Sequence, residues 1–481
     1  MSKVRLRFAP SPTGNLHLGT LRAALFNWLY AKKMNGSFIC RIEDTDALRS
    51  KSEFEESIFQ GLDWLGLNCD ESPKNTGKYG PYRQSERKLF YQKYLDILID
   101  KGLAYYCFCS PEDLEKERLL AQEQKKPYVY SGKYRNYCIQ EAKKRIAQGD
   151  SAVLRFKMPR SGELLVSDLI RGEVTFDYSL IGDFILQKSD GTASFNFAVV
   201  VDDALMKITH VIRGEDHLSN MPRQLALYDA LGFKPPLFAH LPMILGSDKR
   251  KLSKRHGATN VIDYKQQGFL PEAMLNYLAL LGWSSANGQE KLSVDQLVAA
   301  FEITDINKSG AIFDIKKLSW LNGQYLRDMP FDVFKLRIKD FVSNTNQQIL
   351  NERYSQDKQN QIFELAQASI GFLSDMNSFL SVFTDDHDSL LQRRNALDFN
   401  ADNFAFLSLF QEHLENFNEG SDDMAYKQCL LDIVDLTGLS KGKVFRPVRM
   451  ALTGFDSGPD LFKVLSILGQ KCLIDRLNQL I

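Results

Sequence analysis

Two stretches of this 481-residue chain hold most of its side chains suited to chemistry. The first is Pro10-Ser11-Pro12-Thr13-Gly14-Asn15-Leu16-His17-Leu18-Gly19-Thr20, a Pro- and Gly-rich break that runs straight into an apolar periodicity. Backbone N–H groups at a helix start lack partners and carry the positive end of the dipole, which suits a phosphate. His17 sets an imidazole beside them, and Gly19 lets a flat or bulky ligand approach the backbone. Taken alone, a histidine after a loop reads more readily as structural. The second stretch lies far downstream. There Gly246-Ser247-Asp248-Lys249-Arg250 precedes Lys251-Leu252-Ser253-Lys254-Arg255.

The elements that must position His17 are legible on either side of it. Val4-Arg5-Leu6-Arg7-Phe8 predicts a strand. Leu21, Ala24, Leu25, Trp28 and Leu29 recur at i, i+3, i+4, i+7 and i+8, one buried helical face. After Gly36, Phe38-Ile39-Cys40-Arg41-Ile42 predicts a second strand that ends in Glu43-Asp44-Thr45-Asp46. Strand, helix, strand makes a βαβ unit, hence a parallel sheet with a right-handed crossover. Its ligand site belongs beyond the carboxyl ends of the strands, where His17, Gly19 and Glu43 fall.

HLGT at His17 and KLSKR at Lys251 together resemble the two signatures of class I aminoacyl-tRNA synthetases. RFAPSPTG, RIEDTD, YRQSER from Tyr82 to Arg87, VIRGEDH from Val211 to His217 and KLSKRHG resemble the glutamyl-tRNA synthetases of bacterial type. The likeness is specific from the N-terminus to around Tyr325 and looser beyond. It implies an α/β Rossmann-type catalytic domain with an inserted acceptor-binding subdomain, followed by an all-α anticodon-binding region. The expected divisions are 1–105 and 184–245 for the two catalytic halves and 106–183 for the insert. A KLSKR loop and helical stem-contact domain is expected at 246–326, and the anticodon-binding domain at 327–481.

The implied reaction is ATP-dependent ligation of L-glutamate to tRNA(Glu) through glutamyl-adenylate, giving AMP and diphosphate. A carboxylate nucleophile is already ionised, so the site needs positioning and cations rather than a general base. By resemblance His17, Lys251 and Lys254 are catalytic, the lysines clamping the outer phosphates of ATP with Mg(II) neutralising the rest. Pro10, Thr13, Gly14, His17, Gly19, Thr20, Leu252, Ser253 and Lys254 are expected to line the ATP site. Arg7 and Arg213 are expected to hold the second carboxylate of glutamate, since a guanidinium offers two parallel hydrogen bonds. Glu43 is expected to meet the α-ammonium, Ser11 the α-carboxylate, and Phe195 to line the pocket. Phe195 and Val199 depart from relatives that have Tyr and Asn there. Asp44, Lys443, Arg446 and Arg449 are expected to touch tRNA, with basic residues around Phe445 suited to phosphate contact and base stacking. Gln367 stands near where stricter members place an anticodon-reading Arg.

Further local readings follow from the residues. Ser52-Glu53-Phe54-Glu55 predicts a capping box, and Ser110 followed by Pro111, Glu112 and Asp113 a helix start. Arg83 and Arg87 read as solvated helix surface, or by resemblance as flanking the cleft. Phe195 to Val201, running into Asp202-Asp203, predicts a strand, as does Ile208 to Ile212. Cys107 and Cys109, with Cys138 later, have the makings of a zinc knuckle completed by Tyr134 or Tyr130, but three soft ligands favour the alternative reading as three buried or free thiols.

Hydrophobic residues at 44%, charged residues at 25% and a formal net charge of zero fit a soluble globular protein of several domains. Any RNA contact must therefore rest on local basic patches. No apolar run is long enough for a bilayer. Seven cysteines without a regular framework point to a reducing compartment. Met1-Ser2-Lys3 leads into the first strand with no signal-peptide pattern, so a cytoplasmic monomer without membrane contact is expected. A glutaminyl-tRNA synthetase would show EPN and DDTNP where this chain has SPTG and EDTD. A catalytically silent tRNA-binding paralogue would have lost His17 or Lys254. The truncated paralogue that glutamylates a tRNA base would lack the helical C-terminal region, and an unrelated nucleotidyltransferase would explain neither that region nor EDTD.

Overall fold

The computed structural model describes residues 3–46, 48–253, 255, 260–395, 397, 401–417 and 421–480. Two compact units emerge, one of residues 1–264 with 274–314 and the other of 265–273 with 315–481.

The first unit begins with the expected βαβ: β1 (Arg5–Phe8), α1 (Leu18–Lys33) and β2 (Ser37–Cys40). β1 and β2 are parallel, with Arg7 opposite Ile39 and Phe8 opposite Cys40. Leu21, Ala24, Leu25 and Leu29 of α1 are fully buried, as their spacing requires. A Cβ on Gly36 would lie 2.5 Å from the carbonyl oxygen of Val4, so only glycine lets the chain turn this closely into β2. α2 (Ser52–Trp64) forms without the expected capping box. Lys51 occupies the cap position in extended conformation, Ser52 is already helical, and the Glu55 carboxylate is taken by Arg83 at 2.7 Å.

α3 (Lys88–Asp100) leads to β3 (Ala104–Cys107), α4 (Pro111–Glu123), α5 (Ile139–Ala147) and β4 (Val153–Phe156). Ser110 caps α4 by accepting the N–H of Asp113 at 3.2 Å. β5 (Glu163–Asp168), β6 (Gly172–Asp177), β7 (Ile185–Gln187), α6 (Phe195–Leu205), β8 (His210–Gly214), α7 (Met221–Leu231) and β9 (Leu237–Leu241) complete the sequence up to the lysine loop. The principal sheet has the order β2-β1-β8-β9-β5-β6, parallel except where β6 folds back on β5. A smaller antiparallel sheet is made of β3, β4 and β7.

Two further expectations change. Phe195 to Val201 is the first part of a helix, not a strand. Phe197 through Asp203 are all buried, so α6 lacks a polar face and its apolar run fits either period. The stretch 106–183 does not keep to itself either. Its strands β5 and β6 extend the principal sheet, while β3 and β7, at its two margins, belong to the smaller one.

The second unit is helical from Ile315–Asp328 through Leu461–Asn478. Phe334, Ile362, Leu380, Leu430, Val448 and Leu465 are fully buried in one continuous apolar cluster. Helix starts at Asn344, Gln356 and Asp423 are capped by the side chains of Ser343, Ser355 and Asp422.

Candidate active site

The carboxyl ends of β1, β2 and β8 and the start of α1 open onto a cleft of about 880 Å³. His17 is the cap residue of α1, extended at φ −101° and ψ 161°. Its Nδ1 accepts the N–H of Thr20 at 3.3 Å, and the Thr20 hydroxyl lies 2.7 Å from Nε2. The imidazole therefore packs against the first turn and takes up one of its N–H groups. Burial, and then Lys251, push its pKa down against an opposing pull from Asp216, which keeps the ring neutral at neutral pH. A Cβ on Gly19 would come within 3.4 Å of that ring. Pro10, Ser11, Thr13, Gly14, His17, Gly19 and Thr20 all face the cleft.

Across the sheet edge runs a line of buried charge. Arg41, just beyond β2, donates to Asp203 at 2.6 Å and to Glu43 at 2.9 Å. Arg7 on β1 reaches the same Asp203 through Nε, at 3.3 Å to each carboxylate oxygen. Asp203 stays ionised against its burial because Arg7 and Arg41 hold it below the usual range. Glu43 goes the other way: burial raises its pKa more than Arg41 lowers it. On β8, Arg213 donates through Nε to His240 Nε2 at 3.0 Å. Burial, then Arg7, push the Arg213 guanidinium down to about 10, still protonated at neutral pH. Phe195 at the start of α6 packs on His217, ring centroids 5.5 Å apart, and both line the cleft with Val199.

Neighbouring Asp202 supports the wall from behind. It accepts from Arg87 at 2.6 Å, Gln84 at 2.9 Å and Tyr91 at 2.8 Å. Arg87 is thus a buried strut rather than the solvated residue its sequence suggests.

The lysine loop reaches the same cleft. Leu245 and Lys251 form an antiparallel bridge, closed by Gly246 N–H to Arg250 at 2.8 Å and Leu252 N–H to Ile244 at 2.9 Å. On the far side of the loop, Asn260 bridges His17 and the N–H of Val261 donates to Leu16 at 3.1 Å. Lys251, Leu252 and Ser253 line the cleft, and the Lys251 ammonium lies 3.9 Å from Asp216. Lys254 lies outside the described residues.

Sequence reasoning missed Arg41, Asp203, His240 and Asp168, which hold the expected residues in place. Asp202-Asp203 closing an apolar run was the one available signal, since paired carboxylates are rarely buried without cations.

The remaining expected residues do not line this cleft. The Asp44 carboxylate accepts the Ser85 N–H at 2.8 Å and hydroxyl at 2.6 Å, which fixes the turn at residues 84–87. Lys443 and Arg446 are exposed on the helix Lys441–Thr453, whereas Arg449 is half-buried and donates to the Pro459 carbonyl at 2.6 Å. Phe445 meets Phe462 edge-on at 5.4 Å, so its ring is packing, not an open stacking platform. Gln367 is buried and its amide donates to the carbonyls of Leu326 at 2.9 Å and Met329 at 2.6 Å. It closes a helix end and is in no position to read a base.

The zinc knuckle is not assembled. Tyr130 hydroxyl lies 3.2 Å from Cys107 Sγ and 3.5 Å from Cys109 Sγ. Cys138 is exposed and bonds Gln140 at 2.9 Å, and Tyr134 packs against Phe108 and Tyr137. Among the described residues no group of three His, Cys, Asp or Glu is arranged to hold a metal. No helix among them is long and apolar enough to cross a membrane.

Comparison with known proteins adds to this geometry. Residues 3–320 match the family described as class I tRNA synthetases (E and Q), catalytic domain, and residues 335–481 match an anticodon binding domain. A glutamate–tRNA ligase of Natranaerobius thermophilus is 43% identical over 99% of this chain and 98% of its own. Glutamate–tRNA ligase 1 of Syntrophomonas wolfei is 44% identical over 100% of this chain and 96% of its own. The crystal structure of a glutamate tRNA ligase from Elizabethkingia meningosepticum, in complex with its amino acid, superposes with a TM-score of 0.85 at 33% identity, covering 99% of both chains.

Proposed function

The chain belongs to the glutamate–tRNA ligases of class I, and from that membership we propose how its own residues carry out the reaction. It is an aminoacyl-tRNA synthetase that uses ATP to join glutamate to tRNA. Its cognate RNA is tRNA(Glu), and it works as a cytoplasmic monomer. Residues 106–183 contact the acceptor end, 246–326 the stem and 327–481 the anticodon.

Glutamate enters with its side-chain carboxylate against Arg7 and Arg213, its ammonium at Glu43 and its α-carboxylate near Ser11. ATP lies over Pro10, Thr13, Gly14, Gly19 and Thr20, with its phosphates toward His17, Leu252, Ser253 and the ammonium groups of Lys251 and Lys254. Mg(II) bound to the triphosphate oxygens, which suit it, would supply charge neutralisation. An α-carboxylate oxygen attacks the α-phosphorus, and the bond to the bridging oxygen breaks to release diphosphate. Neutral His17 donates through Nε2 to charge that grows on the α-phosphate, and the lysines stabilise the departing diphosphate. In the second step the 2′-hydroxyl of the terminal ribose attacks the acyl carbon, its proton passes to the departing phosphate, and AMP leaves.

The observation that supports this best is the gathering of His17, Lys251, Glu43, Arg7 and Arg213 around one cleft. The carboxylate nucleophile of the first step is already ionised, so no proton need leave it and the site needs positioning and cations rather than a base. Diphosphate exchange with glutamate, measured with and without tRNA(Glu), tests the reading. Exchange is expected with glutamate and tRNA present. Its absence under both conditions, or exchange with glutamine instead, would overturn it. Charging of tRNA(Gln) alongside tRNA(Glu) measures how strictly the RNA is chosen.

A further inference from the structure

Three neighbouring strands each deliver one side chain to the edge of the sheet. Arg213 on β8 and His240 on β9 are register partners, so their side chains stand together on one face. Asp168 ends β5, the next strand over. Arg213 Nε donates to His240 Nε2 at 3.0 Å, and His240 Nδ1 lies 2.7 Å from Asp168 Oδ2. All are buried: 7% exposed for Arg213, 0% for His240 and 3% for Asp168.

The proton positions follow from what each group can do. A guanidinium Nε–H only donates, so Nε2 of His240 must accept. Burial lowers the pKa of His240 and favours the neutral ring. Its proton therefore sits on Nδ1 and points to Asp168. The other oxygen, Oδ1, is committed to the backbone, accepting the N–H of Ile170 at 3.0 Å and of Arg171 at 2.8 Å.

We propose that Asp168 and His240 are positioning residues for glutamate selection: Asp168 fixes the imidazole tautomer, and the imidazole fixes the guanidinium of Arg213 that receives the side-chain carboxylate. This rests on the role given to Arg213 above. The two cleft arginines are anchored by opposite means. Arg7 is held by the Asp203 carboxylate, which offsets its charge. Arg213 is held by a neutral ring, which fixes its direction without offsetting its charge; Asp203 and Glu43 act on that charge only from beyond hydrogen-bond contact. A carboxylate in place of His240 would compete with the substrate for that charge. The relay thus favours an anionic side chain over the neutral amide of glutamine. Nη1 of Arg213 has no protein partner among the described residues, and Nη2 donates only a 3.3 Å bond to the carbonyl of His217.

Asp168→Asn separates this role from mere support of the β5–β6 turn. The amide keeps an oxygen for the Ile170 and Arg171 N–H groups but presents an N–H to Nδ1. The ring proton must then move to Nε2, where it faces the Nε–H of Arg213. In the full-length enzyme with tRNA, the KM for glutamate is expected to rise about 10- to 100-fold with the KM for ATP nearly unchanged. Side-chain ¹⁵N spectra should show His240 as the Nδ1–H tautomer in the native protein and Nε2–H in the variant. His240→Gln, which keeps an acceptor where Nε2 stood, should bind glutamate better than His240→Asn, which does not. An unchanged tautomer, or equal rises in both KM values, would overturn the proposal. Arg213→Ala separates the two levels. If it raises the KM for glutamate and Asp168→Asn does not, the relay falls while the role of Arg213 stands; if it has no effect, that role falls too.

Discussion

Arg7 presents its Nε to Asp203 at 3.3 Å from each carboxylate oxygen, and its two η nitrogens have no protein partner among the described residues. The carboxylate therefore anchors the guanidinium by its stem side and leaves the terminal donors for a ligand. Asp203 serves Arg41 as well, and through Arg41 it steadies Glu43.

Removing that shared anion should harm the fold as much as the site. Asp203→Ala leaves the buried guanidinium of Arg7 without its carboxylate and Arg41 with Glu43 as its one carboxylate at hydrogen-bond distance among the described residues, and breaking a buried pair in this way typically costs about 3–5 kcal/mol. Urea denaturation of the variant should show a loss of that order together with a raised KM for glutamate. A loss below about 1 kcal/mol would mean that water or rearranged side chains replace the carboxylate.

The acid limb of the pH profile should belong to Glu43. Burial raises its pKa above the ordinary 4.5 although Arg41 pulls it down. Only the ionised form pairs with the ammonium of glutamate. As pH falls through the raised value, kcat/KM for glutamate should drop about tenfold per pH unit. The stability sign is opposite to that of an ion-paired carboxylate: this group's contribution is complete below its unfolded pKa and fades as pH rises through the folded one. Glu43→Gln should abolish the limb. A limb that persists in the variant belongs to another group.

Lys251 should act on rate rather than on amino-acid affinity. Its ammonium is mostly exposed and its 3.9 Å approach to Asp216 is a loose one, so it is free to follow a phosphate. Lys251→Ala is expected to slow diphosphate exchange by about two to three orders of magnitude and leave the KM for glutamate unchanged. Equal activity would remove it from the mechanism. The same loss is expected for Lys254→Ala.

The thiol of Cys138 should be dispensable. It is exposed, and among the described residues its hydrogen-bond partner is Gln140. Cys138→Ser should match the parent in melting temperature and charging rate, and metal analysis of both proteins should find no stoichiometric zinc. Stoichiometric zinc lost on this substitution would restore the knuckle.

How much of this was legible depends on where the controlling interaction lies. His17, Gly19, Glu43 and the lysine loop announce themselves because each follows a local break in a periodic pattern. α1 was plain from five apolar residues on one face. α6 was not, because a helix buried on every side loses the alternation that marks it. Ser52 looked like a cap, but Glu55 was needed 28 positions away by Arg83. Asp168 and His240 carry no motif, since their meaning arises only when β5 and β9 lie side by side. Gln367 and Phe445 show the converse: polar and aromatic types suited to RNA, turned inward by helix packing.

The placement of β5 and β6 bears on modular exchange between relatives. Cutting out the whole of 106–183 would strip two strands from the principal sheet and take Asp168 with them. A chimaera that borrows another enzyme's segment here must therefore leave the hairpin Glu163–Asp177 in the recipient and splice on either side of it. A foreign hairpin would otherwise bring a new neighbour for His240 and, by the relay proposed above, disturb the hold on Arg213.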